Sequence, residues 1–516
     1  MLTDAESALV FLRAQAAAFG GRATIVGKGP SFAEFDAEAA RRERFVVGLN
    51  ETALLCPCHA AFVIDEDVLD RHARALAASG VMALLTPRVP HRPRAIGKLA
   101  IYGPPETPTT TDPAWVQAFG RPVLRFNLFS AEPAPALGET VPGYSFSAPT
   151  LAHLLALAGF KDIQLAGIDG GTRYSADFRE VEYKKLKSLQ DSFDVQFADL
   201  RQVRDRFGVH FRSVRCDEAT VLIGGEPEQC LATEVLRWSI ESNTFLSVNF
   251  VEAGPVAREL YAQGQSGTPF SFQRIFLPRL AGQRGRGVYF DSDMLVMRDV
   301  YELFNWDMGG AVLLGCQPKP GRDAQFSVFL VDNTRARWDP DLLLEDLQQG
   351  RLSYQQLIGD FAFAQPQGSV LPAAWNSLEH YEQGRTANVH FTDMGSQPWL
   401  SIYNPVADLW CSALAKAMAE RPAVREALQR SLSRSWVRPS LEWQLTQQHH
   451  NPWTMPRAVR QLDQDWLPPH MQARPVQTGR RLQLLRWQWS ARVRRAMQSR
   501  TYKRLVLARM AVRKLF

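Results

Sequence analysis

Residues 287–297 read Gly287-Val288-Tyr289-Phe290-Asp291-Ser292-Asp293-Met294-Leu295-Val296-Met297. An apolar run, an acidic triplet and a second apolar run in this order predict a strand that ends at a pair of carboxylates. Asp291 and Asp293 are two residues apart, so on an extended strand end both point to the same side. They can therefore face one divalent cation and the diphosphate that it carries. Because chance supplies about one Asp-x-Asp triplet in a chain of this length, the surrounding sequence has to decide its meaning.

The bulk composition is that of a globular protein with more than one domain. The chain has 516 residues, of which 46% are hydrophobic and 22% charged. A single core normally stops growing below this length, so two or three domains are expected. No stretch reaches the roughly 18 apolar residues that a membrane span needs, and no signal peptide is visible at the N-terminus. We therefore expect a cytoplasmic protein.

The six cysteines do not form a dense disulfide framework, which is consistent with a reducing compartment. One group, Cys56-Pro57-Cys58-His59, has the residue types of a metal site. A second ligand pair at zinc-like spacing is missing from the sequence, so buried thiols are the favoured interpretation.

Short apolar runs alternate with helical stretches in the first part of the chain. The predicted strands are residues 23–26, 45–50, 61–65, 81–85 and 163–169. A helix is predicted at 66–79, and Pro-rich sequence from Thr86 to Pro142 interrupts the pattern. Apolar strands separated by helices are typical of an α/β fold with a parallel, doubly wound sheet. We expect this first domain to cover residues 1–213.

Ligands of an open α/β sheet bind at the carboxyl ends of the strands. Six residues fall at or just beyond the predicted strand ends, and they form a candidate nucleotide site in the first domain: Gly27, Gly29, Ser31, Asn50, Asp65 and Asp169. The glycine turn could admit a phosphate to backbone amides, or it could be only a tight turn.

A second α/β segment is expected from residue 214 to residue 470. Five blocks within it are Val221-Leu222-Ile223-Gly224, Phe272-Gln273-Arg274-Ile275-Phe276-Leu277-Pro278, Val288 to Val296, Leu371-Pro372-Ala373-Ala374-Trp375-Asn376, and His390-Phe391-Thr392-Asp393 with Gln397-Pro398-Trp399. In this order the blocks resemble glycosyltransferase family 8, the retaining group that includes glycogenin and lipopolysaccharide galactosyltransferases. The resemblance implies a nucleotide-sugar transferase domain of the GT-A type.

The resemblance also implies roles for individual residues. Asp291, Asp293 and His390 match the family's metal ligands, which bind Mn²⁺ or Mg²⁺, and Gln355 matches the glutamine on the reactive face of the sugar. The implied catalytic residues are Gln355, Asp291 and Asp293. The implied donor-binding residues are Ile223, Gly224, Arg274, Asp291, Gln325, Trp375, Asn376 and Gln397. From the residues alone, Arg274 could instead be a surface ion-pair residue, and His390 a packed core histidine.

The sequence departs from the family pattern at the sugar end of the site. Gln325-Phe326-Ser327-Val328 stands where the family has Asn-Ala-Gly-Val, and Tyr354-Gln355-Gln356 where it has Asp-Gln-Asp. Gln397 replaces a lysine that holds the diphosphate, and Arg385 is a candidate substitute for that cation. No carboxylate is clearly positioned as a covalent nucleophile, so the retaining mechanism that the resemblance implies is a front-face one and not a double displacement.

The first domain resembles, in residues 25–31, 47–50 and 159–169, a Rossmann-like domain of bacterial sialyltransferase-like and 6-hydroxymethylpterin pyrophosphokinase-like proteins. Its implied role is nucleotide binding or a second transferase activity.

The last 46 residues, 471–516, are strongly basic. The chain carries a net charge of +6, but from Arg474 to Phe516 there are eleven Arg, two Lys and no acid, so this tail carries +13 and residues 1–473 carry −7. Arg481, Trp487, Trp489 and Arg495 belong to a helical pattern of Arg and apolar residues that is typical of an interfacial helix on anionic lipid. A packing helix or a dimer contact are the alternatives. Because the basic residues form a tail on an acidic body, nucleic acid is not an expected partner.

Together these features predict a transferase that moves a hexose from a UDP-sugar to a cell-surface glycan or a lipid-linked, lipopolysaccharide-type acceptor. We expect it at the inner face of the cytoplasmic membrane. The alternatives are a bifunctional protein with a sialyltransferase-like first domain, and a catalytically weakened scaffold of a glycan-assembly complex.

Overall fold

The computed structural model describes residues 7–96, 99–104, 113–144, 146–170, 174–181, 191–254, 269–316, 325–368, 370–463 and 466–469. The predicted tail helix, with Arg481, Trp487, Trp489 and Arg495, lies outside these residues. The chain divides into two compact units. The first comprises Met1–Thr220, Thr244–Asn249 and Asp299–Asp307, and the second comprises Val221–Asn243, Phe250–Arg298 and Met308–Phe516.

The first unit is built on an eight-stranded parallel sheet. Its described strands are β1 (Arg22–Val26), β2 (Phe45–Leu49), β3 (Ala60–Phe62), β4 (Ala83–Pro87), β5 (Arg92–Ile96), β6 (Leu99–Gly103), β7 (Val123–Leu128), β8 (Thr140–Val141), β9 (Asp162–Ala166) and β10 (His210–Ser213). The sheet order is β10-β9-β1-β2-β3-β4-β7-β8, and every neighbouring pair is parallel. Strands β5 and β6 form a separate antiparallel pair. The mixed α/β class and the parallel sheet predicted for this segment are thus confirmed.

The apolar runs become strands because the sheet is covered on both faces. All residues of β2 and β4 are buried, as a parallel sheet between helices requires. The chain enters at β1, moves outward to β8, and returns to the other side of β1 with β9 and β10. The direction of strand order therefore reverses between β1 and β9, and the ends of these two strands mark the topological switch point.

Among the described residues, six α-helices of at least six residues accompany this sheet: Ala8–Ala18, Ala37–Glu43, Glu66–Ala78, Ala114–Phe119, Ser147–Leu157 and Asp191–Phe207. The helices Ser147–Leu157 and Asp191–Phe207 pack against each other, as do Glu66–Ala78 and Ala114–Phe119. A short helix, Tyr301–Phe304, belongs to the same unit.

The second unit contains two smaller sheets. Its strands are β11 (Ala219–Gly224), β12 (Val248–Val251), β13 (Arg286–Asp291), β14 (Met294–Val296), β15 (Leu313–Cys316), β16 (Gln325–Asp332), β17 (Ser377–Leu378) and β18 (Asn388–His390). The first two residues of β11 and of β12 fall within the first unit. One sheet has the order β12-β11-β13-β16-β15, and the other has the order β14-β18-β17. The acidic triplet lies between β13 and β14, where the chain passes from one sheet to the other.

Helices flank both sheets of this unit. The described α-helices are Cys230–Asn243, Leu277–Leu280, Pro340–Gln348, Ala407–Glu420, Pro422–Ser433, Ser440–Thr446 and Arg457–Gln461. One apolar cluster joins Tyr289 and Phe329 of the five-stranded sheet to Phe361. A second cluster joins Leu295 and Val389 of the three-stranded sheet to the helix Ala407–Glu420. Over the described residues, no helix is both long enough and apolar enough to cross a bilayer.

Candidate functional site

Asp291 ends β13 in a buried polar contact with two side chains. Arg274 Nη2 donates to its Oδ1 over 2.9 Å, and the Tyr289 hydroxyl donates to the same oxygen over 2.7 Å. Tyr289 and Asp291 are two residues apart on one strand, so their side chains share a face. Arg274 lies 8% exposed and stacks over the Tyr289 ring, 5.1 Å from its centroid. Arg274 is therefore a buried partner of the acidic triplet and not a surface ion-pair residue.

The end of β11 lies against the triplet. Ser292 N donates to Gly224 O over 2.8 Å, and Gln273 Oε1 accepts from Gly225 N over 2.9 Å. A Cβ on Gly224 would lie 2.0 Å from the Tyr289 hydroxyl oxygen, and one on Gly225 would lie 2.8 Å from Ser292 Cβ. The two glycines let β11 approach closely enough for the carboxylates to sit beside it.

Strand pairing brings His390 to Asp293. Strand β14 pairs antiparallel with β18, with Met294 opposite His390, and Phe391 N donates to Asp293 O over 2.8 Å. As a result His390 Nε2 lies 3.1 Å from Asp293 Oδ1. The other ring nitrogen, Nδ1, is hydrogen-bonded to Asn376 Oδ1 over 2.8 Å. This bond turns Nε2 toward the carboxylates, as in sites where a second partner orients a histidine ligand.

Gln397 completes the contacts of Asp293. Its Nε2 donates to Asp293 Oδ2 over 2.9 Å and to Phe391 O over 3.1 Å, and its side chain is 2% exposed. Both donor hydrogens of this amide are thus engaged within the protein.

Asp291, Asp293 and His390 each offer one ligand atom, and these atoms lie within 4.8 Å of one another. The three residues are 6%, 7% and 4% exposed. They form the one group of three or more potential metal ligands found among the described residues. Two carboxylates and an imidazole are a donor set that suits Mn²⁺ and similar ions.

Neighbouring charges shift the titration of this cluster. Burial lowers the pKa of His390, but the Asp293, Asp291 and Glu379 carboxylates together raise it more, so the pKa lies above its usual value. Burial raises the pKa of Tyr289 well above its usual value, so the phenol stays protonated and donates. Burial opposes the charge of Arg274 most strongly, but the Asp291 carboxylate together with the Tyr289 and Tyr354 side chains outweighs it, so the pKa of the guanidinium is raised. The Arg274 guanidinium therefore compensates part of the charge of the two carboxylates, and these carboxylates favour a proton on His390.

The remaining predicted donor residues lie at varied depths. Ile223 is half-buried at the end of β11, and Gln325 begins β16. Trp375 is 1% exposed, and its carbonyl accepts from Asn388 Nδ2. Gln355 is exposed, and its Nε2 donates to Asp360 Oδ1 over 2.8 Å. Arg385 is 76% exposed and pairs with Glu382, so it does not replace a cation in the cluster.

In the first unit, the structure brings four of the six predicted residues together at the switch point. Ser31 N donates to Asp169 Oδ2 over 2.6 Å, and the Ser31 hydroxyl donates to the other oxygen. Gly27 N donates to Ala166 O over 2.7 Å, and Gly29 N to Gly167 O over 2.8 Å. The amides of Gly27, Gly29 and Ser31 are thus engaged within the chain, as expected for a tight turn that packs two loops together.

Asn50 and Asp65 follow the neighbouring strands β2 and β3. Asn50 has a φ of 53°, in the left-handed region, and its buried Oδ1 has no hydrogen-bond partner among the described residues. Asp65 is the residue before the helix Glu66–Ala78. Beside Asn50, Glu51 is 1% exposed and binds Lys28 Nζ over 2.7 Å.

Tyr289 and Gln273 lie near the cluster of Asp291, Asp293 and His390, and neither was predicted from the sequence as a site residue. Tyr289 could have been found from the period of two along a strand, because it precedes Asp291 by two residues. Gln273 has no such local signal, since its partner Gly225 is 48 residues away.

No family model and no curated protein matches the sequence. The glycosyltransferase GlyE of Streptococcus pneumoniae TIGR4 is 17% identical, with 42% of this chain and 64% of that chain covered and a TM-score of 0.31. The galactosyltransferase LgtC, in complex with donor and acceptor sugar analogs, is 14% identical, with 39% of this chain and 95% of that chain covered and a TM-score of 0.30. The bifunctional glycosyltransferase WbbM is 11% identical, with 49% of this chain and 62% of that chain covered and a TM-score of 0.30. The chain thus spans less than two thirds of GlyE and of WbbM, and similarity at these TM-scores does not assign its fold or function.

Proposed function

We propose that the second unit is a metal-dependent, retaining glycosyltransferase of the GT-A type that transfers a hexose from a UDP-sugar. The observation that carries this proposal is the buried cluster of Asp291, Asp293 and His390, whose ligand atoms lie within 4.8 Å of one another. A compact set of two carboxylates and one imidazole in a buried position is costly to assemble unless it binds a cation. The proposed acceptor is a cell-surface glycan or a lipid-linked precursor of one.

Asp291, Asp293 and His390 would hold Mn²⁺ or Mg²⁺. Both described hydrogen bonds to Asp291 end on Oδ1, so its second oxygen is not engaged by them. When bound, the ion would supply a Lewis acid that neutralises the departing diphosphate.

The surrounding side chains orient and balance these ligands. Asn376 fixes the orientation of the His390 ring, and Gln397 holds Asp293 through Oδ2. Arg274 offsets the charge of Asp291 from a buried position, since its side chain is 9% exposed. The ligand positions are therefore set before any substrate arrives, which reduces the reorganisation that binding would require.

The sugar end of the proposed site rests on Gln355, with Ile223, Gly224 and Gln325 as the further donor contacts and Trp375 as a supporting residue. Gln355 lies on the exposed side of a single helical turn, Gln355–Gly359, where it could meet a donor sugar. Trp375 is buried, so it would act by supporting Asn376, its neighbour in the chain, and not by direct contact.

A non-catalytic scaffold is the second candidate, and Gln397 is the observation that favours it. The amide is neutral, and both of its donor hydrogens are engaged by Asp293 and Phe391. It therefore does not supply the cation that a diphosphate needs. We expect a scaffold with this neutral side chain to bind UDP but not to turn over a UDP-sugar.

Two further roles are proposed for the rest of the chain. The first unit would bind a nucleotide near the unpaired Asn50 Oδ1, at the carboxyl ends of β1, β2 and β9. The basic tail, residues 471–516, would attach the protein to anionic lipid, and its deletion should abolish sedimentation with anionic liposomes.

The decisive experiment compares UDP-sugar turnover with and without Mn²⁺ in the full-length protein and in Asp293→Asn. We expect metal-dependent turnover in the wild type and its loss in the variant, because an amide oxygen binds the cation less strongly than a carboxylate. Asp341→Asn is the matched control, since that aspartate is 69% exposed and pairs with a surface arginine. UDP binding without turnover in the wild type would favour the scaffold, and unchanged activity in Asp293→Asn would overturn the metal site.

A further inference from the structure

Two cysteine thiols of the first unit lie side by side in the segment Cys56-Pro57-Cys58. Their Sγ atoms are 3.6 Å apart, and both cysteines are free. The segment connects the short helix Asn50–Leu54 to β3. Cys58 is 2% exposed, whereas Cys56 is only half-buried and can be reached from solvent.

The backbone on both sides of the pair is held in place. Cys56 N donates to Thr52 O over 3.2 Å, and His59 N donates to Val46 O over 2.8 Å. Residues two apart in a chain have Cα atoms no more than about 7 Å apart, and a disulfide needs a Cα separation of about 4.4 to 6.8 Å. The sulfur atoms have to approach from 3.6 Å to the S–S bond length of about 2.05 Å.

A metal site is a poor alternative for this segment. The adjacent His59 accepts a hydrogen bond at Nδ1 from Val46 N over 3.0 Å and packs its ring against Phe45. Among the described residues, the three-ligand group at Asp291 is the one that could hold an ion, and Cys56 and Cys58 belong to no such group.

The two thiols differ in reactivity. The hydrogen bond from Cys58 lowers the pKa of Cys56, while the same bond and then burial raise the pKa of Cys58. A half-buried thiol with a lowered pKa next to a buried thiol with a raised pKa is the arrangement of an attacking and a resolving cysteine.

We propose that Cys56 and Cys58 are a redox modification site that closes to an intramolecular disulfide in the presence of a low-molecular-weight disulfide. The Cys56 thiolate attacks one sulfur of the small disulfide, forms a mixed disulfide and releases one thiolate. Cys58 then loses its proton and attacks Cys56 Sγ, which releases the second thiolate. The two protein thiols are oxidised and one small disulfide is reduced to two thiols.

Closure would act on the end of the sheet that borders the proposed nucleotide crevice. Thr52, whose carbonyl accepts from Cys56 N, also donates its hydroxyl to Val26 O and to Leu49 O, each over 3.0 Å. Val26 and Leu49 are the last residues of β1 and β2. A disulfide would therefore restrain the turn that joins these two strand ends.

The test incubates the reduced, full-length protein with glutathione disulfide, blocks the remaining thiols with N-ethylmaleimide and maps the peptides by mass spectrometry. We expect the peptide that contains both cysteines to lose two hydrogens, to carry neither label, and to regain both thiols on treatment with dithiothreitol. A peptide that carries two maleimides, or one glutathione on each cysteine, would overturn the proposal.

Variants assign the order of attack. Cys58→Ser should keep one glutathione on Cys56, because the resolving thiol is gone, whereas Cys56→Ser should leave Cys58 unmodified. Cys230→Ser is the matched control, because Cys230 is also half-buried but has a serine hydroxyl beside it in place of a thiol; closure should be unchanged. If Cys58→Ser does not fold, as judged by circular dichroism, the wild-type peptide map alone decides the outcome.

Discussion

Gln397 donates its side-chain amide to Asp293 Oδ2 over 2.9 Å, although the two residues are 104 positions apart. The glutamine side chain therefore donates a hydrogen bond to one of the carboxylates of the acidic triplet. At the position where the resemblance to family 8 predicted a contact to a diphosphate, this chain has a neutral side chain that supports a proposed metal ligand.

Replacement of Gln397 by Ala should weaken metal binding more than it weakens the fold. Loss of one partner of a metal ligand typically lowers metal affinity about 10- to 100-fold, and a buried acceptor left without its donor costs about 1 to 3 kcal/mol. Titration with Mn²⁺ by calorimetry and urea denaturation would measure the two effects. Gln349→Ala is the matched control, because Gln349 is exposed and its side chain bonds to Glu345 on the same helix. Equal Mn²⁺ affinities in the two variants would contradict the role assigned to Gln397.

Much of the parallel sheet could be predicted from the sequence because each strand is locally apolar. Strands β1, β2, β4 and β9 all lie within three residues of their predicted bounds. Their side chains are buried on both faces, so the apolar runs are continuous and stand out from the helices. The third predicted strand, residues 61–65, ends early at Phe62, and Asp65 is already the N-cap of the next helix.

The parts of the fold that were missed have two different causes. The antiparallel pair Arg92–Ile96 and Leu99–Gly103 lies in the Pro-rich stretch, where proline argues against a strand. The segments Thr244–Asn249 and Asp299–Asp307 belong to the first unit although the chain around them belongs to the second. No local periodicity in the sequence indicates that the chain returns to the first unit in these two segments.

The candidate site also has a part that could be predicted from local sequence and a part that could not. Its acidic triplet follows an apolar strand and is visible in the sequence, but the approach of His390 depends on the pairing of Met294 with His390 across β14 and β18. The order of motifs along the chain predicted that these residues belong together. Their hydrogen-bond partners, such as Tyr289 on Asp291, follow only from the geometry.

Substitution of Gly224 by Ala should disturb the Asp291 end of the cluster. The new Cβ would lie 2.0 Å from the Tyr289 hydroxyl oxygen, which donates to Asp291. We expect a loss of about 1 to 3 kcal/mol in the free energy of unfolding, as for other overpacked sites, together with weaker Mn²⁺ binding. A Cβ added at Gly143 would have no described atom within 4 Å, so Gly143→Ala is the control and should unfold like the wild type. A thermal melt of Gly224→Ala that overlays the wild-type curve would refute the steric argument.

Arg438 should be essential for the stability of the segment that carries Gln397. Its guanidinium is fully buried, donates to Pro398 O over 2.9 Å and also binds Gln444 Oε1. Arg438→Met would leave these acceptors unpaired, and breaking a buried charged network typically costs about 3 to 5 kcal/mol. Urea denaturation followed by tryptophan fluorescence would measure the loss.

Arg434→Met provides the comparison for Arg438. Arg434 is exposed and stacks on Trp436, so its replacement should cost less than about 1 kcal/mol. Similar midpoints for the two variants would mean that burial of the Arg438 guanidinium contributes nothing to stability.

The first unit should lose stability in acid through His59. Burial, and then the charge of Arg41, lower the pKa of this imidazole to about 4 in the folded protein. Protonation would also remove the acceptor that Nδ1 offers to Val46 N. Between the unfolded pKa of about 6.5 and the folded pKa of about 4, the unfolded chain binds more protons than the native one. The free energy of unfolding therefore falls as the pH is lowered through this window, by up to about 1.4 kcal/mol per pH unit.

His59→Gln tests this assignment, because the amide oxygen keeps an acceptor but does not titrate. The buried Asp299 acts in the opposite direction, since burial raises its pKa to about 6 and its protonated form is favoured in the native state as the pH falls. That contribution is common to both proteins and cancels in the comparison. We expect urea midpoints measured at several values between about pH 7 and pH 4.5 to fall less steeply for His59→Gln than for the wild type. Parallel pH profiles would show that His59 is not the group whose protonation destabilises the fold.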